Sequence, residues 1–116
     1  MKLVALAAMV AALIVPGAFA SSTATTLNGT DGPGFTITLK KSGVKVTKLK
    51  HGTYVIKVAD KSSIHNFHLK GPGGINKSTS VGFVGTKTWT LTLKAGKYTY
   101  VCDPHASFMK GSFTVT

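Results

Sequence analysis

Gly96-Lys97-Tyr98-Thr99-Tyr100-Val101-Cys102-Asp103-Pro104-His105-Ala106-Ser107-Phe108-Met109 carries more of the reading than any other stretch of this chain. Tyr98, Tyr100 and Cys102 alternate with Lys97, Thr99 and Val101, the two-residue period of a half-buried strand. Pro104 cannot continue a hydrogen-bonded ladder, so the chain turns and His105 comes back within reach of Cys102. Met109 follows before Gly111 opens a last strand ending in Phe113 and Val115. One loop between neighbouring strands thus gathers a thiol, an imidazole and a thioether.

The same alternation recurs outward from that stretch. Phe35, Ile37 and Leu39 sit two apart, as do Val44 and Val46, then Tyr54, Ile56 and Val58, then Trp89, Leu91 and Leu93. Asp60-Lys61-Ser62-Ser63 and Lys94-Ala95-Gly96-Lys97 read as turns. Ile64 to Leu69 reads as a short strand ended by Gly71-Pro72-Gly73-Gly74, and 71–85 as the longest irregular stretch. No segment beyond residue 20 has helical periodicity with caps. About seven short strands separated by turns predict an all-β fold, an antiparallel β-sandwich.

The amino terminus reads as an export signal over residues 1–20. Lys2 precedes the apolar run Leu3 to Val15, then Pro16-Gly17 and Ala18-Phe19-Ala20, with cleavage expected after Ala20. Thirteen apolar residues reach about 20 Å as a helix, short of a hydrocarbon core of about 30 Å. No stable membrane insertion is expected after cleavage, and the residue directly after Ala20 is Ser21, not a cysteine that could carry a lipid. The remaining 96 residues, 116 less 20, suffice for one domain. Residues 21–33, rich in Ser and Thr, read as a flexible arm, and 34–116 as the folded domain. The protein is expected outside the cytoplasm, periplasmic or extracellular.

All 14 basic residues are lysine; without Lys2, and with three aspartates, the exported part carries 13 − 3 = +10. That charge favours acidic partners and anionic surfaces. With no arginine to grip phosphate or guanine bidentately, nucleic acid is not expected as a partner. Lysines spread along strands also fit an ordinary solvated face.

Cys102 is the one cysteine, so it has no partner for an internal disulfide, although exported proteins usually pair theirs. A small buried hydrophobe and an intermolecular bridge are the plain explanations. His105 three residues on favours metal ligation, and Ile64-His65-Asn66-Phe67-His68-Leu69 supplies a second imidazole 37 residues before Cys102. A thiolate with two imidazoles suits copper, and zinc accepts the same set. A thioether from Met109 tips the choice to copper; the plain alternative is a core methionine. On a strand, His65 and His68 point to opposite faces, so both cannot enter one site unless a bulge intervenes. The His65-Asn66 dipeptide favours His65, and His68 is expected to be structural or solvent-facing. His51, in a Lys50-His51-Gly52 turn, reads as a turn residue.

From Phe35 to Thr116 the residues resemble the plastocyanin/azurin family, the small cupredoxins. His65-Asn66 and Gly-x-Tyr-x-Tyr-x-Cys-x-x-His over 96–105, with Met shortly after, carry the resemblance. It implies an eight-stranded Greek-key sandwich with one copper ion at one end. By that match His65, Cys102 and His105 are equatorial ligands and Met109 the weak axial one. Asn66 falls where its amide and side chain brace the ligand loop. Asp103, beside the cysteine, would favour Cu(II) and lower the potential if it lay close to the metal. The three residues between His105 and Met109 differ from the gaps usual in plastocyanins and amicyanin-like proteins.

The function expected is single-electron transport by Cu(I)/Cu(II) cycling between redox partner proteins with acidic docking surfaces. Ala106 and Phe108, with Pro33 and Pro72, are candidates for an apolar patch around His105. A copper buffer or delivery protein would use the same ligands, and a Lys-rich envelope-binding sandwich would need none of them. No nucleophile–base pair stands apart from the Cys-His loop, so an enzyme is not expected. Nothing argues against a monomer.

Overall fold

The alternating stretches form ten strands in the computed structural model, which describes residues 23–116. They are β1 (Thr25–Asp31), β2 (Ile37–Lys41), β3 (Val44–Lys45), β4 (Lys48–Leu49) and β5 (Gly52–Asp60). There follow β6 (His68–Gly71), β7 (Ile75–Ser78), β8 (Gly85–Leu93), β9 (Gly96–Val101) and β10 (Lys110–Val115). A 3-10 turn over Asp103–His105 is the one helical element among the described residues. The export signal expected over 1–20 lies outside them.

One sheet has the order β3-β2-β1-β5-β8 and the other β4-β10-β9-β6-β7. Both are mixed, not purely antiparallel: β1 runs parallel to β5, and β4 parallel to β10. Each parallel pair arises because the chain crosses between sheets instead of turning back in a hairpin. The core between them holds Leu27, Leu39, Ile56, Val58, Phe67, Leu69, Leu93, Tyr98, Tyr100 and Phe113, all buried. Phe67 stacks on Tyr100 at 5.4 Å and Tyr98 on Phe113 at 5.1 Å between ring centroids. Gly111, opposite Tyr100 in the ladder, is obligatory, since a Cβ there would stand 2.2 Å from the Tyr100 ring.

Three expectations are corrected. The arm expected over 21–33 is not flexible where it is described: Thr25–Asp31 is β1, the middle strand of its sheet. Its inward positions are Leu27, Gly29 and Asp31, and Gly29 leaves room for the Phe67 ring, 3.0 Å from where a Cβ would stand. The strand expected over Ile64 to Leu69 begins only at His68. Before it the chain bends: the His65 N–H donates to the Ser62 carbonyl, and the Ile64 N–H to the Ser62 hydroxyl. The stretch expected to be irregular over 71–85 contains β7, paired with β6 across the Gly71-Pro72-Gly73-Gly74 turn.

Candidate metal centre

At the end of the sandwich where β9 stops, Cys102, His65 and His105 converge. The Cys102 Sγ lies 3.7 Å from His65 Nδ1 and 3.6 Å from His105 Nδ1, and the two nitrogens are 3.1 Å apart. All three donor atoms fall within 4.8 Å of one another. An ion about 2.0 Å from nitrogen and about 2.3 Å from sulfur spans up to roughly 3.5 Å between nitrogens and roughly 3.7 Å from nitrogen to sulfur. Both sulfur sides match, and the nitrogen–nitrogen side is shorter. The donor set therefore fits one small, thiophilic ion. Cys102 and His65 are buried and His105 half-buried.

Local hydrogen bonds hold the loop. The His105 N–H donates to the Cys102 carbonyl at 3.0 Å, and the N–H groups of Phe108 and Met109 donate to the His105 carbonyl at 3.1 and 2.9 Å. The Cys102 N–H then donates to the Met109 carbonyl at 2.9 Å, closing the loop on itself. Met109 is buried, which its place under the loop requires.

Asn66 ties the His65 segment to this loop. Its backbone N–H points at the Cys102 sulfur, 3.4 Å away. Its side chain accepts from the Asp103 N–H at 2.7 Å and donates to the Asp103 carboxylate at 2.8 Å and the Thr79 carbonyl at 3.3 Å. Such partners fix the orientation of ligands and tune the donor sulfur.

The Asp103 carboxylate is not part of the triangle. It is taken up by Asn66 and by His68 Nδ1 at 2.9 Å, and 48% of the side chain is exposed. Burial pushes the Asp103 carboxyl up, but hydrogen bonds from Asn66 and His68 and the charges of His68 and Lys70 outweigh it. The carboxyl is held below its ordinary value. His68 has the structural place expected of it, linking Asp103 to Asn76 on β7. His51, on the exposed turn, bonds the Thr116 carbonyl at 3.0 Å and takes no part.

Phe35 was expected inside a strand; it stands before β2, 58% exposed, and caps the imidazoles. Its ring meets His65 and His105 edge-on at 5.0 Å each, and Phe108 lies 6.0 Å away. Gly32-Pro33-Gly34 was the signal that could have detached Phe35 from the strand. Pro72 is at the opposite end, against Gly96 at the start of β9, and cannot border His105.

A second buried polar cluster lies at the same end of β1 and β5. Asp31 and Asp60 are register partners, both buried. Thr79 Oγ1 donates to Asp60 at 2.9 Å and accepts from the Phe67 N–H at 2.9 Å, while the Asp31 oxygens meet no donor apart from a protonated Asp60 carboxyl. Burial, then a hydrogen bond and the charge of Asp60, push the Asp31 carboxyl up to about 8. A proton shared by the pair is what lets two carboxyls sit side by side in a core.

A family model described as copper binding proteins of the plastocyanin/azurin family matches residues 20–116. No curated protein matches the sequence. Among solved structures, a point mutant of rusticyanin aligns at 22% identity and TM-score 0.59, covering 83% of this chain and 80% of its own. Rusticyanin from Thiobacillus ferrooxidans aligns at 24% identity and TM-score 0.56, covering 83% and 79%. At those identities the structural likeness speaks for the fold. The family match spans nearly the whole chain and includes the sulfur–imidazole triangle, so copper is the cofactor. This chain is a member of the plastocyanin/azurin family of copper-binding proteins.

Proposed function

We propose that the chain is an exported carrier of single electrons, with copper held by His65, Cys102 and His105 and more weakly by Met109. The observation that carries this reading is the triangle of one sulfur and two imidazole nitrogens, with sides of 3.1, 3.6 and 3.7 Å. Copper bound there supplies a one-electron couple. The protein's own contribution is rigidity: hydrogen bonds within 102–109 and from Asn66 hold the donors in one arrangement in both oxidation states. The Asn66 N–H, aimed at the sulfur, withdraws charge from the thiolate.

Phe35 and Phe108 keep water from the imidazoles, and the half-buried His105 edge is the route outward. Exposed Phe35, Ile64 and Phe108 give a redox partner an apolar surface at that end, and the chain's net positive charge raises its rate of encounter with acidic partners. Such encounters bury little area and dissociate quickly.

Voltammetry and self-exchange measurements on the copper-loaded chain from Ser21 test this reading. A reversible one-electron wave with fast self-exchange is expected. Slow exchange together with ready transfer of the ion to a chelator would replace the electron carrier by a copper carrier.

A further inference from the structure

The lysines are not evenly spread. Lys45, Lys97 and Lys110 line one groove, and Lys45 and Lys110 also wall the adjoining one with Lys40. Lys41, Lys45 and Lys48 line the next, and Lys41 and Lys48 continue with Lys50 into a fourth. Because each groove shares a wall with another, the four form one continuous band along the edge where β3 crosses to β4. Lys48 stands beside Thr114, four residues along β10 from Lys110. At about 3.3 Å per residue the band runs roughly 13 Å from Lys110 to Lys48, and about 20 Å to Lys50.

No acid opposes it. Asp31 and Asp60 are buried and Asp103 is engaged by His68, so no lysine has an ion-pair partner among the described residues. The band carries few bulky exposed apolar side chains, although Ile37, Val46, Leu49 and Tyr100 line its grooves between the lysines. Of the exposed large hydrophobics, Val44 alone lies on it, while Phe35, Ile64 and Phe108 sit at the metal end. A folded acidic protein would need an apolar centre to dock. An extended polyanion needs charges in a row, and lysine ammoniums are point charges that grip phosphate without reading planar groups.

We propose that this band, which starts beside the ligand loop at Lys110 and runs away from it along β10, is a docking track for an extended phosphodiester polymer of the cell envelope, independent of electron transfer. It would hold the carrier at the envelope while leaving the His105 end free.

The test is fluorescence anisotropy of labelled poly(glycerol phosphate) with the copper-loaded chain from Ser21 at 50 and 200 mM salt. Engaging about five lysines, binding should weaken roughly 100-fold between those salts, by counterion release. Lys45→Gln with Lys110→Gln should cut affinity at least about 10-fold at low salt and flatten the salt slope by roughly 1.4. Lys77→Gln with Lys87→Gln, on the opposite edge strands β7 and β8, should change affinity less than about threefold, since a remote charge acts only through the screened field. Near-UV circular dichroism verifies the fold of each variant without reference to copper. No binding at 50 mM salt, or equal losses in both lysine pairs, would overturn the proposal. Equally tight, band-dependent binding of polyglutamate would overturn it in favour of an acidic protein partner.

Discussion

Replacing Asp31 by Asn should make the protein's stability less sensitive to pH, because Asp31 and Asp60 face each other in the buried register of β1 and β5. The Asp31 carboxyl titrates at about 8 when folded and near 3.8 when the chain is unfolded. Between those values the folded state retains a proton that the unfolded state has released. Stability is therefore full at low pH and falls as pH rises through this window, by about 1.4 kcal/mol per unit for one proton. Asn at this position stays neutral, and its amide can donate to the Asp60 carboxylate. Urea unfolding of the copper-free proteins at pH 5, 6 and 7 measures the effect, and titrations common to both cancel in the difference. The variant should gain on the parent by about 2–3 kcal/mol across those two units. Parallel stability curves would refute a shared proton in the pair.

Leu27→Ala should cost about 2–5 kcal/mol in urea unfolding, as a core truncation does and a change in a loose arm does not. Asn66→Ala removes three side-chain hydrogen bonds between the His65 segment, the ligand loop and Thr79. A loss of about 2–4 kcal/mol is expected by the same measurement, since one bond involves a carboxylate and the group is buried. Phe35→Ala should change stability by less than about 1 kcal/mol, its ring being mostly exposed. It should nevertheless speed copper removal by a chelator, read by stopped-flow absorbance, because it uncovers both imidazoles.

What the sequence made legible follows from what alternation records. Trp89, Leu91 and Leu93 on β8 and Tyr98 and Tyr100 on β9 are apolar at every second residue, and they form the strands expected. β1 escaped because its inward positions are Leu27, Gly29 and Asp31: one makes room for Phe67 and one is a carboxyl paired across the sheet. β7 escaped because Ile75 is its one apolar residue and the strand lies at a sheet edge.

The metal centre was legible for a different reason. Cys102, His105 and Met109 share one short loop, so spacing alone groups them; the Ile64–Leu69 stretch offered the second imidazole by residue type, and the His65-Asn66 pairing selected which one. The parts that remained hidden join segments distant in sequence. His68 reaches Asp103 across 35 residues, and Thr79 links Asn66, Phe67 and Asp60 through three separate bonds. No local pattern marks a serine, threonine or histidine for such work. Phe35 misled for the opposite reason: it continues the two-residue rhythm of Ile37 and Leu39, yet the chain has not entered β2.

The central claim is that the Cys102 sulfur and the two imidazoles hold copper as one site. Visible absorption during titration of the chain from Ser21 with Cu(II), beside Cys102→Ser, tests it most directly. An intense blue thiolate-to-copper band saturating at one ion per chain, and missing from Cys102→Ser, is the result expected. A folded protein that stays colourless with copper, or a band that survives Cys102→Ser, would contradict it.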